Sequence, residues 1–533
     1  MWPDLEELVL ALGSADKQRR FDDPASILGD RLVPGSLYRL LSDEGGRLFD
    51  DDYFADLYTE SPKGRPTIPA RVLASVMLLQ SFEGLSDREA TDRLGADLRW
   101  QAAAGVGVGA EPFHATVLVG LRNRLRASTR PRRLFEDTVA LAKESGVLRS
   151  KVRVLDSTAL YDAVATQDTV TQLRAVIRKV LTVVDVDLAA AIRAVLVRDD
   201  DYASAGKPPC DWDDPASRDA LVDALVRDAQ AALLVLDGAT LGPVATDAAE
   251  LLALVAGQDV AQSDDGTFAI VRGVAKDRVI STVDTEARHG HKSANRRFDG
   301  YKTHLSVDPE SEIIAEVTAT AANAHDHDAV DDLVAEVVAE VEGNEGESPM
   351  VIGDGAYGDG ATRAKLRDLG VEVVAKLASV RNATGGYSKD RFVVDMVTRT
   401  VTCPADQRVA ITPRKGGGGK ASFGALCATC PLKSECTSAK RGRSITIGPH
   451  EDELVVARTA QRQAGWLEYY RATRPMVERK ISHFTRRPWG GRKARCRGLA
   501  RVKTDVLTRA GVLNLARLAT LGLSWGETGW GIA

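Results

Sequence analysis

KVRVLDST, residues 151–158, and SPMVIGDGAYGD, residues 348–359, are the two stretches on which the fold turns. Each is a short apolar run, Val152 to Leu155 and Met350 to Ile352, closed by an aspartate, Asp156 or Asp354. Short apolar runs bounded by turn residues read as buried strands. Both aspartates are therefore expected at the carboxyl ends of strands, where α/β sheets place their ligands. Beyond Asp354, Ala361 to Leu369 reads as a helix and Val371 to Leu377 as a strand, the alternation of a sheet covered by helices. Gly353, Gly355 and Gly358 would let the backbone approach a phosphate, or would simply make a tight turn.

A third acid, Glu478, sits in RPMVERK behind Pro475, a residue suited to a first helical turn, with a helix expected to about Arg486. Two strand-end carboxylates and one helical carboxylate could converge. Cleaving a phosphodiester needs an activated nucleophile, a stabilised leaving oxygen and neutralised phosphoryl charge, which two magnesium ions about 4 Å apart can supply. Magnesium is hard and is held by carboxylates rather than by His or Cys. Taken singly, an aspartate after an apolar run is more simply a turn or helix cap; the surrounding words decide otherwise.

Those words are DSTALYDAVATQDTVTQL (156–173), VDTEARHGHKSANRRFDGYKTHL (283–305), GDGAYGD (353–359) and VERKISHFTRRPWGGRKARCRGLARV (477–502), in that order. They closely resemble insertion-sequence transposases of the DDE type, family 1182. GRPTIPARVLASVMLLQSFEGLSDREATDRLGADLRW (64–100) is similar to the helical domain that precedes the catalytic domain there. The resemblance runs from about Tyr53 to Leu521. It implies that Asp156, Asp354 and Glu478 are the catalytic triad of a ribonuclease-H-like fold, with two Mg2+ or Mn2+ ions per site. Transposases of the wider group often set tyrosine, arginine, glutamate and lysine around the last acid. Here Arg474 and Glu478 fit, but the tyrosine place holds Arg471 and the lysine place Thr485, with Tyr470 and Arg486 each one residue away.

At 533 residues the chain is too long for one core, and 44% hydrophobic content suffices for two or three. The start MWPDLEELVLALG lacks the features of a signal peptide, and no apolar run approaches the roughly 20 residues of a membrane helix. A soluble, cytoplasmic, nucleoid-associated protein is expected, with no membrane partner. The net charge of −5 sits oddly with a nucleic-acid ligand until it is mapped. From 455 to 520 there are 16 Lys and Arg against three acids, whereas from 199 to 265 there are 15 acids against three bases. Such segregation fits one face that meets DNA and another that avoids it.

Residues 1–150 read as an all-α N-terminal domain for DNA-end binding or dimerisation. Helices are expected at Ile68 to Gln80, Asp87 to Leu94, with Ser86 as cap, and Phe113 to Leu125. Residues 151–533 read as an α/β, ribonuclease-H-like catalytic domain with a mixed sheet. Within it, 170–265 is a helical acidic insertion, with strands resuming at Thr267 to Val271 and Val279 to Val283. Tyr301 to Val307 reads as a strand, and Asn323 to Val341 as a helix. The cluster HDHD, His325 to Asp328, lies in that helix's first turn, where acids suit the helix dipole, and is read as structural rather than metal-binding. Residues 380–450 form an insertion whose Cys403, Cys427, Cys430 and Cys436 are either a structural zinc site or reduced thiols. Residues 455–521 are basic helices that carry the last acid.

The candidate DNA contacts are Arg122, Arg124 and Arg126 in the first domain and Arg474, Arg486, Arg487, Arg492, Lys493, Arg495 and Arg497 in the tail. The expected protein is a transposase that binds terminal inverted repeats, cleaves the element ends and joins 3′ hydroxyls to target DNA, acting at least as a homodimer. The rivals are a transposase-derived DNA-binding protein that no longer cuts, and a zinc-dependent hydrolase using the cysteines or HDHD.

Overall fold

The computed structural model describes residues 23–58, 67–293, 295–339, 348–377, 382, 385–486 and 491–532. Seven helices precede the first described strand: α1 (Pro24–Leu28), α2 (Leu37–Leu48), α3 (Ala70–Glu83), α4 (Asp87–Ala96), α5 (Leu98–Ala104), α6 (Thr116–Ala127) and α7 (Arg133–Glu144). The apolar α3 packs against α2, α4 and α5, and Gly84 in the left-handed conformation ends it. Ser86 and Glu89 then form a reciprocal capping box at the start of α4.

The central sheet has six strands, β1 (Val152–Tyr161), β4 (Arg288–Ser293), β5 (Arg296–Val307), β6 (Ile314–Ala321), β7 (Met350–Gly353) and β8 (Glu372–Ala375). Its order is β4-β5-β1-β7-β8, and β6 also pairs with β5. The β1–β7 and β7–β8 pairs are parallel and the others antiparallel, so the sheet is mixed. Two further short strands, β2 (Val260–Gln262) and β3 (Phe268–Ile270), form a separate hairpin.

Side chains alternate between the two faces of a strand. Val154 and Ile352 accordingly join the core shared with the first helices and with α17 (Pro475–Phe484) and α18 (Leu499–Thr520). Leu155 and Val351 join the opposite core, under α12 (Val330–Ala339) and α13 (Gly360–Asp368). The buried α18 ties the two regions together: Asn514 accepts from the Ile314 N–H and donates to the Ile314 carbonyl and to Thr138. That contact covers the outer edge of β6, which would otherwise invite another strand.

Glu316 on β6 packs against Arg132 of the helical region. Burial pushes its carboxyl up to about 7, against the pull of Arg132. Because the folded value lies above the ordinary 4.5, Glu316 stabilises the fold below that pH and loses this contribution as pH rises through about 7. Glu316→Gln, which cannot ionise, should flatten this part of the stability curve by on the order of 2–3 kcal/mol. Urea midpoints of both proteins measured from pH 4.5 to 8 test it; parallel curves would refute it.

Between β1 and β4, the helices α8 (Thr169–Val183), α9 (Val186–Val195), α10 (Pro215–Leu236) and α11 (Pro243–Gln258) build their own core. Asp168, Asp185 and Asp214 cap three of them. Residues 196–214 form a loop between α9 and α10, where Arg174 pairs with Asp200 and Tyr202 donates to Asp228. Val279 to Val283 is not a strand. Its backbone bonds side chains, Val279 N–H donating to Gln258 and Thr282 N–H to Gln167, so no ladder forms.

Between β8 and the last helices, β9 (Val393–Asp395), β10 (Thr400–Thr402), β11 (Arg408–Pro413), β12 (Gly419–Ser422) and β13 (Ser444–Ile447) form an antiparallel sheet with its own core. A short α14 (Lys433–Cys436) lies against it, and α15 (Glu451–Gln461) and α16 (Trp466–Thr473) lead on to α17. The hairpin β14 (Leu523–Gly526) and β15 (Gly529–Ile532) packs on α2 and α7, with Arg47 over Trp525.

Candidate active site

The parallel register pairs Val152 with Met350 and Val154 with Ile352, so two residues further on Asp156 stands beside Asp354. Asp354 does lie at the end of its strand, where its carboxylate caps a 3-10 turn by accepting from the Ala356 N–H at 2.9 Å. Asp156 does not close its strand, as the sequence reading expected. β1 runs on to Tyr161 because Asp156 to Tyr161 continue the antiparallel ladder with β5, opposite Leu305 to Gly300.

β7 stops while β1 continues, which leaves the rest of β1 without a partner on that side. The far end of this free edge is closed by residues 492–494: the Tyr161 N–H donates to the Arg492 carbonyl and the Ala494 N–H to the Tyr161 carbonyl, both at 2.7 Å. Helix α17 closes one face of the gap. Pro475 opens this helix, while Val477, Ile481 and Phe484 anchor it in the core. The other face is closed by the turn Asp326–Ala329 before α12. Between them lies a cavity of about 430 Å³ lined by Asp156, Asp354 and Glu478, and also by Asp326, Lys302 and Arg474.

Arg474 joins two of the acids. Its Nη2 donates to Asp156 Oδ2 at 2.9 Å and its Nη1 to Glu478 Oε1 at 2.7 Å. Burial pushes the Asp156 carboxyl up, against the opposing pull of Arg474. Tyr470, one residue from the expected tyrosine place, is buried and donates to the Gly353 carbonyl at 3.2 Å, fixing the end of β7 beside Asp354. Thr485, in the expected lysine place, donates to the Ile481 carbonyl of its own helix.

Three carboxylates in one cavity are the hard donor set that magnesium favours. Arg474, spanning Asp156 and Glu478, offsets one unit of their charge. Among the described residues no three His, Cys, Asp or Glu side chains stand in a metal-holding arrangement. Cys403, Cys427, Cys430 and Cys436 come together from separate segments around a second, small cavity of about 20 Å³, beside Arg443. Cys436 is buried, which pushes its thiol up, while Cys210 and Cys496 lie elsewhere.

The basic residues divide. Arg122 is held by Asp87 at 2.6 Å, Arg124 lies over the Tyr58 ring, and Arg126 donates to Asn123. The neighbouring Arg130, Arg132 and Arg133 are paired with Asp137, Glu316 and Asp56. Arg122 and Arg126 nonetheless line one cleft of about 700 Å³ together with Arg495 and Arg501 of the tail. Arg492 lines the acidic cavity; Arg486, Lys493 and Arg497 are exposed, and Arg487 lies outside the described residues.

The HDHD cluster needs one correction. Asp328 does cap its turn, accepting from the His325 N–H. Asp326 is not part of that cap but turns into the cavity, accepting from Lys302 Nζ and Ser157 Oγ at 2.8 Å each. Lys302 itself was missed by sequence reasoning. Within an alternating strand it carries no signal of its own, and only the pairing of β5 with β1 brings it to the site.

Residues 265–515 match the family model described as Transposase DDE domain, and residues 30–124 match that described as Transposase domain (DUF772). The two matches support a DDE-type transposase and, with it, a chain concerned with transposition of an insertion sequence. Asp354 and Glu478 lie within the first match, whereas Asp156 precedes it and is brought in by the sheet. No curated protein and no solved structure matches the chain. Among the described residues no helix is long and apolar enough to cross a membrane.

Proposed function

We propose that the protein is a transposase of insertion-sequence family 1182 with a ribonuclease-H-like catalytic core. It binds terminal inverted repeats, cleaves the element ends and joins the 3′ hydroxyls to target DNA, working as a homodimer because an element has two ends. The observation that carries this reading is the meeting of Asp156, Asp354 and Glu478 in one cavity, drawn from two adjacent strands and a helix.

Asp156, Asp354 and Glu478 would hold two Mg2+ or Mn2+ ions, which when bound supply an activated nucleophile and neutralise phosphoryl charge. The protein's part is positional. β1 and β7 fix two carboxylates side by side, α17 brings the third over one face, and Arg474 keeps Asp156 and Glu478 facing each other before cations arrive. Arg492 places positive charge in the cavity wall, and the exposed Arg486, Lys493 and Arg497 add charge that can hold the backbone of a duplex electrostatically. The cleft shared by Arg122, Arg126, Arg495 and Arg501 supports end binding by the helical region together with the tail. The test is excision and strand transfer of a marker flanked by the inverted repeats that surround the gene, with magnesium. Binding of those repeats without cutting would favour a DNA-binding relic.

A second reading concerns the cysteines. All four line one small cavity, and although their thiols do not stand in a metal-holding arrangement, Cys403, Cys427, Cys430 and Cys436 are the donor set that would hold a structural zinc ion there. Purified protein should then contain about one zinc per chain, and Cys430→Ser should lose the metal and lower the melting temperature of this unit. Zinc content unchanged by that substitution would remove these thiols as ligands.

A further inference from the structure

We propose that Lys302 is a phosphate-contacting residue of this site and that Asp326 is the positioning residue that holds it there. The inference rests on the functional reading above and adds two residues to it.

Lys302 lies opposite Ala159 on β5, the strand that flanks β1 away from its free edge, and lines the cavity. An ammonium has three donors. One bonds the Ala324 carbonyl at 2.7 Å and one Asp326 Oδ1 at 2.8 Å, which leaves a third for a ligand in the cavity that Lys302 lines. The side chain is only 15% exposed, so its position is set by the protein rather than by solvent.

Asp326 has both oxygens engaged. While Oδ1 takes Lys302, Oδ2 takes the Ser157 hydroxyl at 2.8 Å. Ser157 follows Asp156, and its N–H donates to Asp156 Oδ1 at 2.8 Å. By alternation Asp156 faces α17 and Ser157 faces the turn that carries Asp326. A single carboxylate thus links the strand under the catalytic acid to a cation on the neighbouring strand. It is spent on protein donors, which suits a positioning role and leaves metal ligation to Asp156, Asp354 and Glu478. An ammonium lining the same cavity as those acids is the group that would meet a phosphate oxygen of DNA held there.

The experiment uses full-length protein, magnesium and a duplex bearing the terminal repeat that flanks the gene. Lys302→Met should lower cleavage about 10- to 100-fold, the loss of one charge-assisted contact. It should also reduce the slope of log affinity against log salt by about 1, the signature of one lost phosphate contact. Lys302→Arg should restore that slope and most of the rate, which a merely structural role would not predict. Asp326→Asn should resemble Lys302→Met, and the double variant should be no worse than Lys302→Met alone.

Three outcomes overturn the inference while native protein still cuts: an unchanged salt slope in Lys302→Met, strictly additive losses in the double variant, or a loss beyond about a thousandfold in Asp326→Asn alone, which would make that acid a metal ligand. If native protein cuts no repeat duplex, the functional reading fails first and this inference fails with it.

Discussion

Asp354→Asn is expected to lower cleavage of repeat ends by about a thousandfold or more, while binding of the same ends and thermal unfolding stay nearly unchanged. Asparagine keeps a side-chain oxygen where Asp354 accepts from the Ala356 N–H, so the turn after β7 retains its cap. Alanine would lose that cap at a cost of about 1 kcal/mol and confuse the result. What asparagine removes is charge at the one acid placed where β7 ends beside Asp156. A bound divalent ion contributes several kcal/mol to such a reaction, and three decades in rate correspond to about 4 kcal/mol. Single-turnover cleavage of a labelled duplex, with gel-shift binding and melting in parallel, makes the check. Cleavage within tenfold of native would sink the assignment of Asp354.

The largest effect on stability is expected at Arg153, three residues before Asp156. Its side chain is 1% exposed and makes a paired contact with Glu336 of α12, Nε to Oε2 at 3.0 Å and Nη2 to Oε1 at 3.1 Å. It also donates to the carbonyls of Ser150 and Val152 and lies 3.7 Å from the fully buried Asp308. Arg153→Met fills similar space but strands two buried carboxylates, of which only Glu336 keeps a basic partner, Lys143. Breaking a buried ion pair on one side costs about 3–5 kcal/mol. The urea midpoint should fall accordingly with little change in slope. Arg153→Met combined with Glu336→Leu should recover much of the loss, because removing both charges removes the stranded one. A double variant no more stable than Arg153→Met would point to lost packing instead.

Much of the site was legible in sequence because its acids sit in local words. Asp354 follows an apolar run and precedes glycines, and Glu478 follows a helix-starting proline, so each could be placed without knowing its neighbours. Asp156 was found but set at a strand end. Nothing local says that the strand continues; its continuation depends on β5, more than a hundred residues later. Long-range pairing explains the other misses as well. Lys302 and Asp326 acquire a role only when β5 and the turn before α12 are laid against β1. Val279 to Val283 has the composition of a strand, yet the N–H groups of Val279 and Thr282 are claimed by Gln258 of the helical insertion and by Gln167 just before it. The charge of Arg130, Arg132 and Arg133 is visible in sequence, whereas the partners that occupy it, Asp137, Glu316 and Asp56, are not.

The closure of β1 by residues 492–494 bears on when a ribosome-bound chain first becomes whole. Asp156 meets Arg474, 318 positions further along the chain, and Tyr161 waits still longer for Arg492 and Ala494. Until then an incomplete chain presents β1 with a bare hydrogen-bonding edge, and one that ends before residue 478 also lacks its third acid. Such an edge recruits other strands. Copies of the gene cut short before codon 490 should therefore yield insoluble and inert polypeptide rather than a competitor for the element ends. Damage at the 3′ end of the gene would then silence an element without poisoning its intact siblings.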